Sequence, residues 1–105
     1  MSKLETFNPS TGERLAELNI TPSQEIQVML ARAKKAQITW ARKSIRERAD
    51  LVIQAYEKIE NRAQKLADLI HQEMGKIPTE ARGEVDSYIA SISRIADEVV
   101  EALKP

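Results

Sequence analysis

Apolar residues recur every three or four positions from Ser44 to Gly75, and no other stretch keeps this spacing for as long. Charged residues such as Arg46 and Asp50 fall between them, which predicts a helix with one apolar side. Ser44 and Glu47 have the spacing of a capping box, and Gly75 is the kind of residue that follows a helix end. The apolar positions are Ile45, Ala49, Val52, Tyr56, Ile59, Ala63, Leu66, Ile70 and Met74.

This predicted helix, residues 45–74, is longer than most helices of globular proteins, which favours an internal break. Asn61 and Gln64 repeat the spacing of a capping box in the middle of the stretch. We therefore predict two nearly collinear helices, residues 45–60 and 62–74, with a bend near Asn61. One continuous helix is the alternative.

A second helix is predicted over residues 21–41. Thr21 is the expected N-cap, Pro22 the first helical residue and Gln24 the partner that closes a capping box. Ile26, Met29, Leu30, Ala33 and Trp40 then follow at helical spacing. The alanines of this segment are small enough to let a neighbouring helix approach closely.

The same spacing predicts a further helix over residues 79–103, with an apolar stripe that can touch more than one neighbour. Gly83 lies inside this segment and weakens the helix by about 1 kcal/mol relative to alanine, so we expect a close packing contact there. The main stripe consists of Ala81, Val85, Tyr88, Ile92, Ile95, Val99 and Leu103, and Ile89, Ala96 and Val100 widen it.

The first twenty residues follow a different pattern. Asn8, Pro9 and Gly12 form a cluster that cannot continue a helix, and short alternating segments flank it at residues 5–8 and 14–20. This arrangement predicts a β-hairpin over residues 5–20. A two-stranded hairpin is marginal in water, so it must lie on the helices.

Composition agrees with a mainly α fold, an N-terminal β-hairpin followed by three or four amphipathic helices within a single partial domain, residues 1–105. The chain has 42% apolar and 30% charged residues, only three glycines and no cysteine. The lack of cysteine excludes disulfides, thiolate metal sites and cysteine nucleophiles within these residues. No apolar run approaches the ~20 residues that span a bilayer and the N-terminus shows no signal region, so we expect no membrane partner and a cytoplasmic protein.

The 16 basic and 16 acidic residues balance, but residues 32–48 carry seven basic side chains against one acid, Glu47. Such a run could bind phosphates of nucleic acid. Trp40 is the one aromatic residue among them, which favours a solvated face and no nucleic-acid partner. His71, the only histidine, has no partner for a metal or base role and is interpreted as a residue of a helix end.

Several short motifs occur in a fixed order. Residues 8–13 read NPSTGE, residues 40–41 read WA and residues 46–49 read RERA. Residues 73–78 then read EMGKIP and residues 80–85 read EARGEV. Each motif is weak alone, but together they cover nearly all of residues 5–103. In this order and spacing they resemble the N-terminal region of NAD(P)-dependent aldehyde dehydrogenases, and succinate-semialdehyde dehydrogenases most of all.

The resemblance implies an oxidoreductase that converts an aldehyde to a carboxylic acid with NAD or NADP. In that family the nucleophilic cysteine, the general base, the oxyanion asparagine and the dinucleotide-binding strands lie downstream of the region seen here. We therefore assign no catalytic, cofactor-binding or metal-binding residue to this chain. By the resemblance, Glu73 could help to hold a structural cation with backbone carbonyls near Thr6 and Phe7, and the alternative is a solvated acid.

The sequence therefore predicts the leading scaffold of an aldehyde dehydrogenase coenzyme-binding domain, which is catalytically silent alone and has the rest of the parent enzyme as its partner. The alternatives are a self-standing helical protein-interaction module and a basic nucleic-acid-binding bundle. Because the helix at residues 79–103 has more apolar surface than one neighbour covers, we also expect a homo-oligomer with this helix in the interface.

Overall fold

The computed structural model describes residues 2–105 and contains a β-hairpin followed by four helices, which confirms the predicted mainly α fold. The strands form a two-stranded antiparallel sheet. The elements are β1 Lys3–Phe7, β2 Arg14–Asn19, α1 Ser23–Ala41, α2 Ile45–Glu60, α3 Ala63–Met74 and α4 Pro78–Ala102.

The hairpin begins two residues earlier than predicted and closes on a turn held by one side chain. Leu4 lies opposite Leu18, and the ladder becomes irregular just before Phe7. The side-chain oxygen of Asn8 accepts hydrogen bonds from the backbone N–H groups of Ser10 (2.8 Å) and Thr11 (3.3 Å). This is an Asx turn, the local bond that makes asparagine favourable at such positions.

The capping box predicted at the start of α2 is present. Ser44 Oγ accepts a hydrogen bond from the Glu47 N–H at 3.1 Å, and Glu47 Oε2 accepts one from the Ser44 N–H at 2.7 Å. The hydrogen bond from the Ser44 backbone N–H to the carboxylate is the main cause that holds the pKa of Glu47 below its ordinary value, and the Ser44 side chain contributes in the same direction. α2 therefore begins at a defined residue without help from buried contacts.

The break near Asn61 is confirmed, but the predicted second cap is wrong. Asn61 has helical torsions, φ −63° and ψ −12°, whereas an N-cap residue is extended. Arg62 occupies the cap position of α3, and the Gln64 side chain donates to Asp68 Oδ1 at 2.8 Å instead of closing a box. A tight turn, with the Arg62 N–H bonded to the Ile59 carbonyl at 2.8 Å, separates the two helices.

The predicted capping box at the start of α1 is also wrong. Pro22 is extended, with ψ 147°, so it is itself the cap and the helix begins at Ser23. Its carbonyl accepts hydrogen bonds from Glu25 and Ile26, which leaves Thr21 outside the helix. α4 behaves as expected for proline at a helix start, with Pro78 as its first residue.

The core is small and lies between α3 and α4. Ala63, Ala67, Ala81 and Val85 are buried there, so the two helices approach closely through small side chains. α2 packs against the other part of α4, where Ala96 is buried. The prediction of a close packing contact at Gly83 is wrong. A Cβ added there would have no neighbouring atom within 4 Å, apart from the nearby backbone of its own helix.

α1 projects away from these helices. Each of its side chains is described and none is buried, although Trp40 at its end is half-buried. The radius of gyration is 18.1 Å, compared with about 13 Å for a compact domain of this length. None of the helices in residues 2–105 is both long and apolar enough to cross a bilayer.

Candidate functional site

An apolar furrow runs between α2 and α4, which lie antiparallel. The start of α2 faces the end of α4, and the end of α2 faces the start of α4. Two open hollows of about 230 Å³ each make up this α2–α4 furrow. Trp40, Ile45, Arg48, Ala49, Val52, Ile92, Ile95, Ala96 and Val99 line the first, and Tyr56, Ile59, Leu66, Ile70, Glu84, Val85, Tyr88 and Ile89 line the second.

Polar groups of the furrow are few and one of them is buried. Arg48 Nε is shielded from solvent and has no hydrogen-bond partner among residues 2–105. At the rim, the Arg46 guanidinium donates to Asp97 at 2.9 Å and lies 3.6 Å from Asp50. The hydrogen bond to Asp97 raises the pKa of Arg46 above its already high ordinary value. A furrow of this kind can hold apolar side chains, together with one hydrogen-bond acceptor beside Arg48.

The apolar side of α1 is a second uncovered surface. Ile26, Met29 and Leu30 are 45%, 58% and 51% exposed, although they share one side of the helix with Ala33 and Trp40. In proteins, most of the stability of a helix comes from tertiary packing of its apolar side. We call these five residues the α1 stripe. The α1 stripe is an apolar surface that no other element of residues 2–105 covers.

The motifs in residues 8–13 and 73–78 lie side by side, although about 60 residues separate them in the sequence. Gly75 has φ +74°, and a Cβ placed on it would lie 3.4 Å from Pro9 Cγ and 3.5 Å from Ser10 Oγ. The N-terminal turn therefore rests directly on the end of α3. Beyond it, Lys76 forms an ion pair with Glu84 of α4.

The sequence-predicted site residues occupy this junction without forming a reaction centre. His71 Nδ1 lies 2.6 Å from the Lys76 carbonyl, so the ring holds the end of α3 as the helix-end interpretation implies. Glu73 is exposed, and the described chain contains no set of three His, Cys, Asp or Glu side chains grouped as metal ligands. Its share in a cation site stays a prediction. Thr6 Oγ1 is buried without a hydrogen-bond partner among the described residues.

The sequence reasoning missed the furrow and the separation of α1. Periodicity located every lining residue on a helix, but it could not say which stripes meet each other and which stay uncovered. Arg48 was assigned to a solvated basic run, whereas its stem lies in the furrow. The apolar neighbours Ile45, Ala49 and Val52 at helical spacing were the one available signal.

Comparison with known proteins identifies the family. The model of the aldehyde dehydrogenase family matches residues 1–104. A 3,6-anhydro-alpha-L-galactose dehydrogenase of Vibrio sp. (strain EJY3) is 37% identical over 93 residues, 89% of this chain and 19% of the relative. A succinate-semialdehyde dehydrogenase [NADP(+)] of Deinococcus radiodurans is 34% identical over 100 residues, 95% of this chain and 21% of the relative.

A malonate-semialdehyde dehydrogenase 1 of Geobacillus kaustophilus is 34% identical over 89 residues, which are 85% of this chain and 18% of the relative. The chain thus spans about a fifth of the length of these relatives, in their N-terminal region. The resemblance inferred from the ordered motifs is confirmed. The chain belongs to the aldehyde dehydrogenase family.

Proposed function

We propose that this chain is the leading scaffold of the coenzyme-binding domain of an aldehyde dehydrogenase, an oxidoreductase that converts an aldehyde to an acid with NAD or NADP. The match of the family model to residues 1–104 carries this proposal. The relatives are named for three different aldehydes, so the proposal covers the reaction class and not one substrate. The cytoplasmic location inferred from the sequence stays a prediction.

The chain's own contribution to such an enzyme is structural. It has no cysteine to attack a carbonyl, and its three glycines form no glycine-rich strand–turn–helix that could cradle a pyrophosphate. Its residues instead hold α3 against α4 and rest the N-terminal turn on Gly75. The α1 stripe and the α2–α4 furrow are then the surfaces on which the remaining four-fifths of the enzyme packs.

A chimera tests this proposal. In the Deinococcus succinate-semialdehyde dehydrogenase, the matched N-terminal fifth is replaced by residues 1–104 of this chain. We expect the chimera to reduce NADP⁺ with succinate semialdehyde, because the scaffold positions the retained catalytic parts. In the chimera, Val85→Asp places a charge in the α3–α4 core and should abolish activity, whereas Ser87→Asp on the exposed side of α4 should preserve it.

The 105-residue chain alone should neither form NADH with an aldehyde nor bind NAD tightly. Aldehyde-dependent NADH formation by the pure chain would contradict the scaffold role. An inactive chimera in which residues 1–104 are folded, as shown by hydrogen exchange, would favour the alternative of a self-standing helical interaction module.

A further inference from the structure

Arg48 is a charged residue with apolar surroundings in the furrow. Nine residues line the first hollow, and Arg48 is the only charged one among them. The others carry no side-chain oxygen, and the indole of Trp40 is a hydrogen-bond donor, so the lining offers no acceptor side chain to a guanidinium. Arg48 Nε is nevertheless shielded from solvent and has no hydrogen-bond partner among residues 2–105. The first hollow therefore contains a buried donor without an acceptor.

Five acids at this end of the furrow already have other partners within the described chain. They are Glu47 with Ser44 in the capping box, Asp50 and Asp97 with Arg46, Glu98 with Arg94, and Glu101 with Lys104. None of these contacts involves Arg48, and Arg46 holds the two acids of the rim. The charge of Arg48 therefore stays without a counter-charge in this part of the chain.

The position of Arg48 lowers the stability of the chain taken by itself. Arg48 is the fourth residue of α2, close to the positive end of the helix dipole, which disfavours a cation. A buried N–H group without an acceptor adds a desolvation penalty. Ile45, Ala49 and Val52 line the same hollow, so an apolar side chain at position 48 would extend their surface without either penalty. These features point to a partner of Arg48 outside the described residues.

The chemistry of the guanidinium group selects that partner. A backbone carbonyl would accept from Nε–H but would leave the positive charge uncompensated in an apolar hollow. A carboxylate meets both needs, because Nε and a terminal nitrogen can donate side by side to its two oxygens. We propose that Arg48 receives an aspartate or glutamate carboxylate from the part of the parent enzyme that packs into the α2–α4 furrow. The contact rests on the scaffold role proposed above and specifies how the furrow is filled.

The chimera with the Deinococcus enzyme tests this contact, because its remaining four-fifths cover the furrow. Arg48→Met removes the charge and keeps a long apolar side chain, whereas the control Arg46→Met removes a charge of the same helical turn at the exposed rim. At pH 8 we expect Arg48→Met to raise the rate of thermal inactivation at least about tenfold, because the facing carboxylate loses its partner in apolar surroundings. Arg46→Met should change this rate by no more than about threefold.

The pH dependence distinguishes a carboxylate from a carbonyl. In the Arg48→Met chimera, the unpaired carboxylate has a folded-state pKa above its unfolded value, so its destabilising effect is full at high pH and is lost as the pH falls. The ratio of the two inactivation rates should therefore fall at least about threefold between pH 8 and pH 5. Other charged groups at this end are common to both proteins and affect both rates alike. They are Lys43, Arg46, Glu47, Asp50 and Asp97.

A lysine substitution separates the charge from the shape of the side chain. Arg48→Lys keeps the charge but not the planar pair of donors, so at pH 8 it should inactivate faster than the unmodified chimera and more slowly than Arg48→Met. If Arg48→Met yields no folded chimera, the refolding yield at the two pH values replaces the rate, with the same pH dependence expected.

The results that contradict the contact differ from those that contradict the scaffold role. An active chimera in which Arg48→Met leaves the inactivation rate unchanged would overturn the contact alone. A rate ratio that is the same at pH 8 and pH 5, or an Arg48→Lys variant no more stable than Arg48→Met, would also overturn it, because neither result fits a carboxylate partner. An inactive unmodified chimera would count against the scaffold role, and the contact would fail with it.

Discussion

Ser44 fixes the start of α2 through two hydrogen bonds, whereas Thr21 makes no such bond at the start of α1. We expect Ser44→Ala to lower the free energy of unfolding by about 1 kcal/mol, because the Glu47 N–H loses its acceptor. Thr21→Ala is the matched control and should change the urea midpoint little. Equal effects of both substitutions would mean that Thr21 caps α1 after all.

Gly75 follows the end of α3, whereas Gly83 lies inside α4. Replacing each of them with alanine should therefore change the free energy of unfolding in opposite directions. Gly75→Ala places a side chain at φ +74° against Pro9 and should destabilise the chain by about 1–2 kcal/mol. Gly83→Ala has free space and helical torsions, so it should stabilise α4 by about 1 kcal/mol. Thermal unfolding of both variants measures this. Destabilisation by Gly83→Ala would reveal a neighbour at that position.

At the residue scale, sequence reasoning was reliable where one local pattern determines one hydrogen bond. The box of Ser44 and Glu47 and the glycine after α3 are of this kind. It was unreliable where two local patterns of backbone hydrogen bonds compete. Pro22 could be the cap or the first helical residue, and Asn61 could end one helix or begin the next, so backbone torsions decided both.

At the scale of elements, periodicity predicted all helices and their order, and a turn cluster predicted the hairpin. Boundaries moved by one or two residues, as they do when helix ends compete for local hydrogen bonds. Which stripes pack against each other was not predictable. An apolar stripe shows that a helix packs against something, but it does not identify the neighbouring element. In the α3–α4 core, Ala63, Ala81 and Val85 belong to the predicted stripes, whereas the buried Ala67 does not.

α1 should be the helix of this chain that is least protected from hydrogen exchange. No residue of this fully described helix is buried, whereas α3 and α4 share a core, so α1 opens at the lowest free-energy cost. In the 105-residue chain we expect α1 amides to exchange deuterium at least tenfold faster than amides at the centre of α4. Equal protection of α1 and α4 would show that α1 packs against another surface, which the structure does not contain.

At the scale of the molecule, the open shape could not be derived from composition. The apolar fraction of 42% is ordinary for a compact domain, and the radius of gyration of 18.1 Å arises from how the helices are arranged. The chain spans about a fifth of the length of its relatives, and an open arrangement agrees with the scaffold role that we propose. In the scaffold role that we propose, the uncovered stripes pack against the rest of the enzyme.

The basic run of residues 32–48 permits a last prediction at this scale. Its charges are dispersed by the fold, because Arg46 pairs with Asp97 and Asp50 and the Arg48 stem lies in the α2–α4 furrow. The exposed remainder can contact few phosphates at once, and nucleic-acid affinity depends steeply on the number of such contacts and on salt. We therefore expect no specific nucleic-acid partner.

Any retention on heparin or duplex DNA should be lost by about 0.15 M salt, at which exposed charges are screened beyond about 8 Å. The matched variants are Lys34→Gln and Lys104→Gln, which each remove one exposed lysine, inside and outside the run. Both should lower the eluting salt concentration by similar small amounts, because a non-specific charge effect does not depend on position. A sub-micromolar complex with DNA at that salt, lost with Lys34→Gln alone, would instead establish α1 as a nucleic-acid-binding surface.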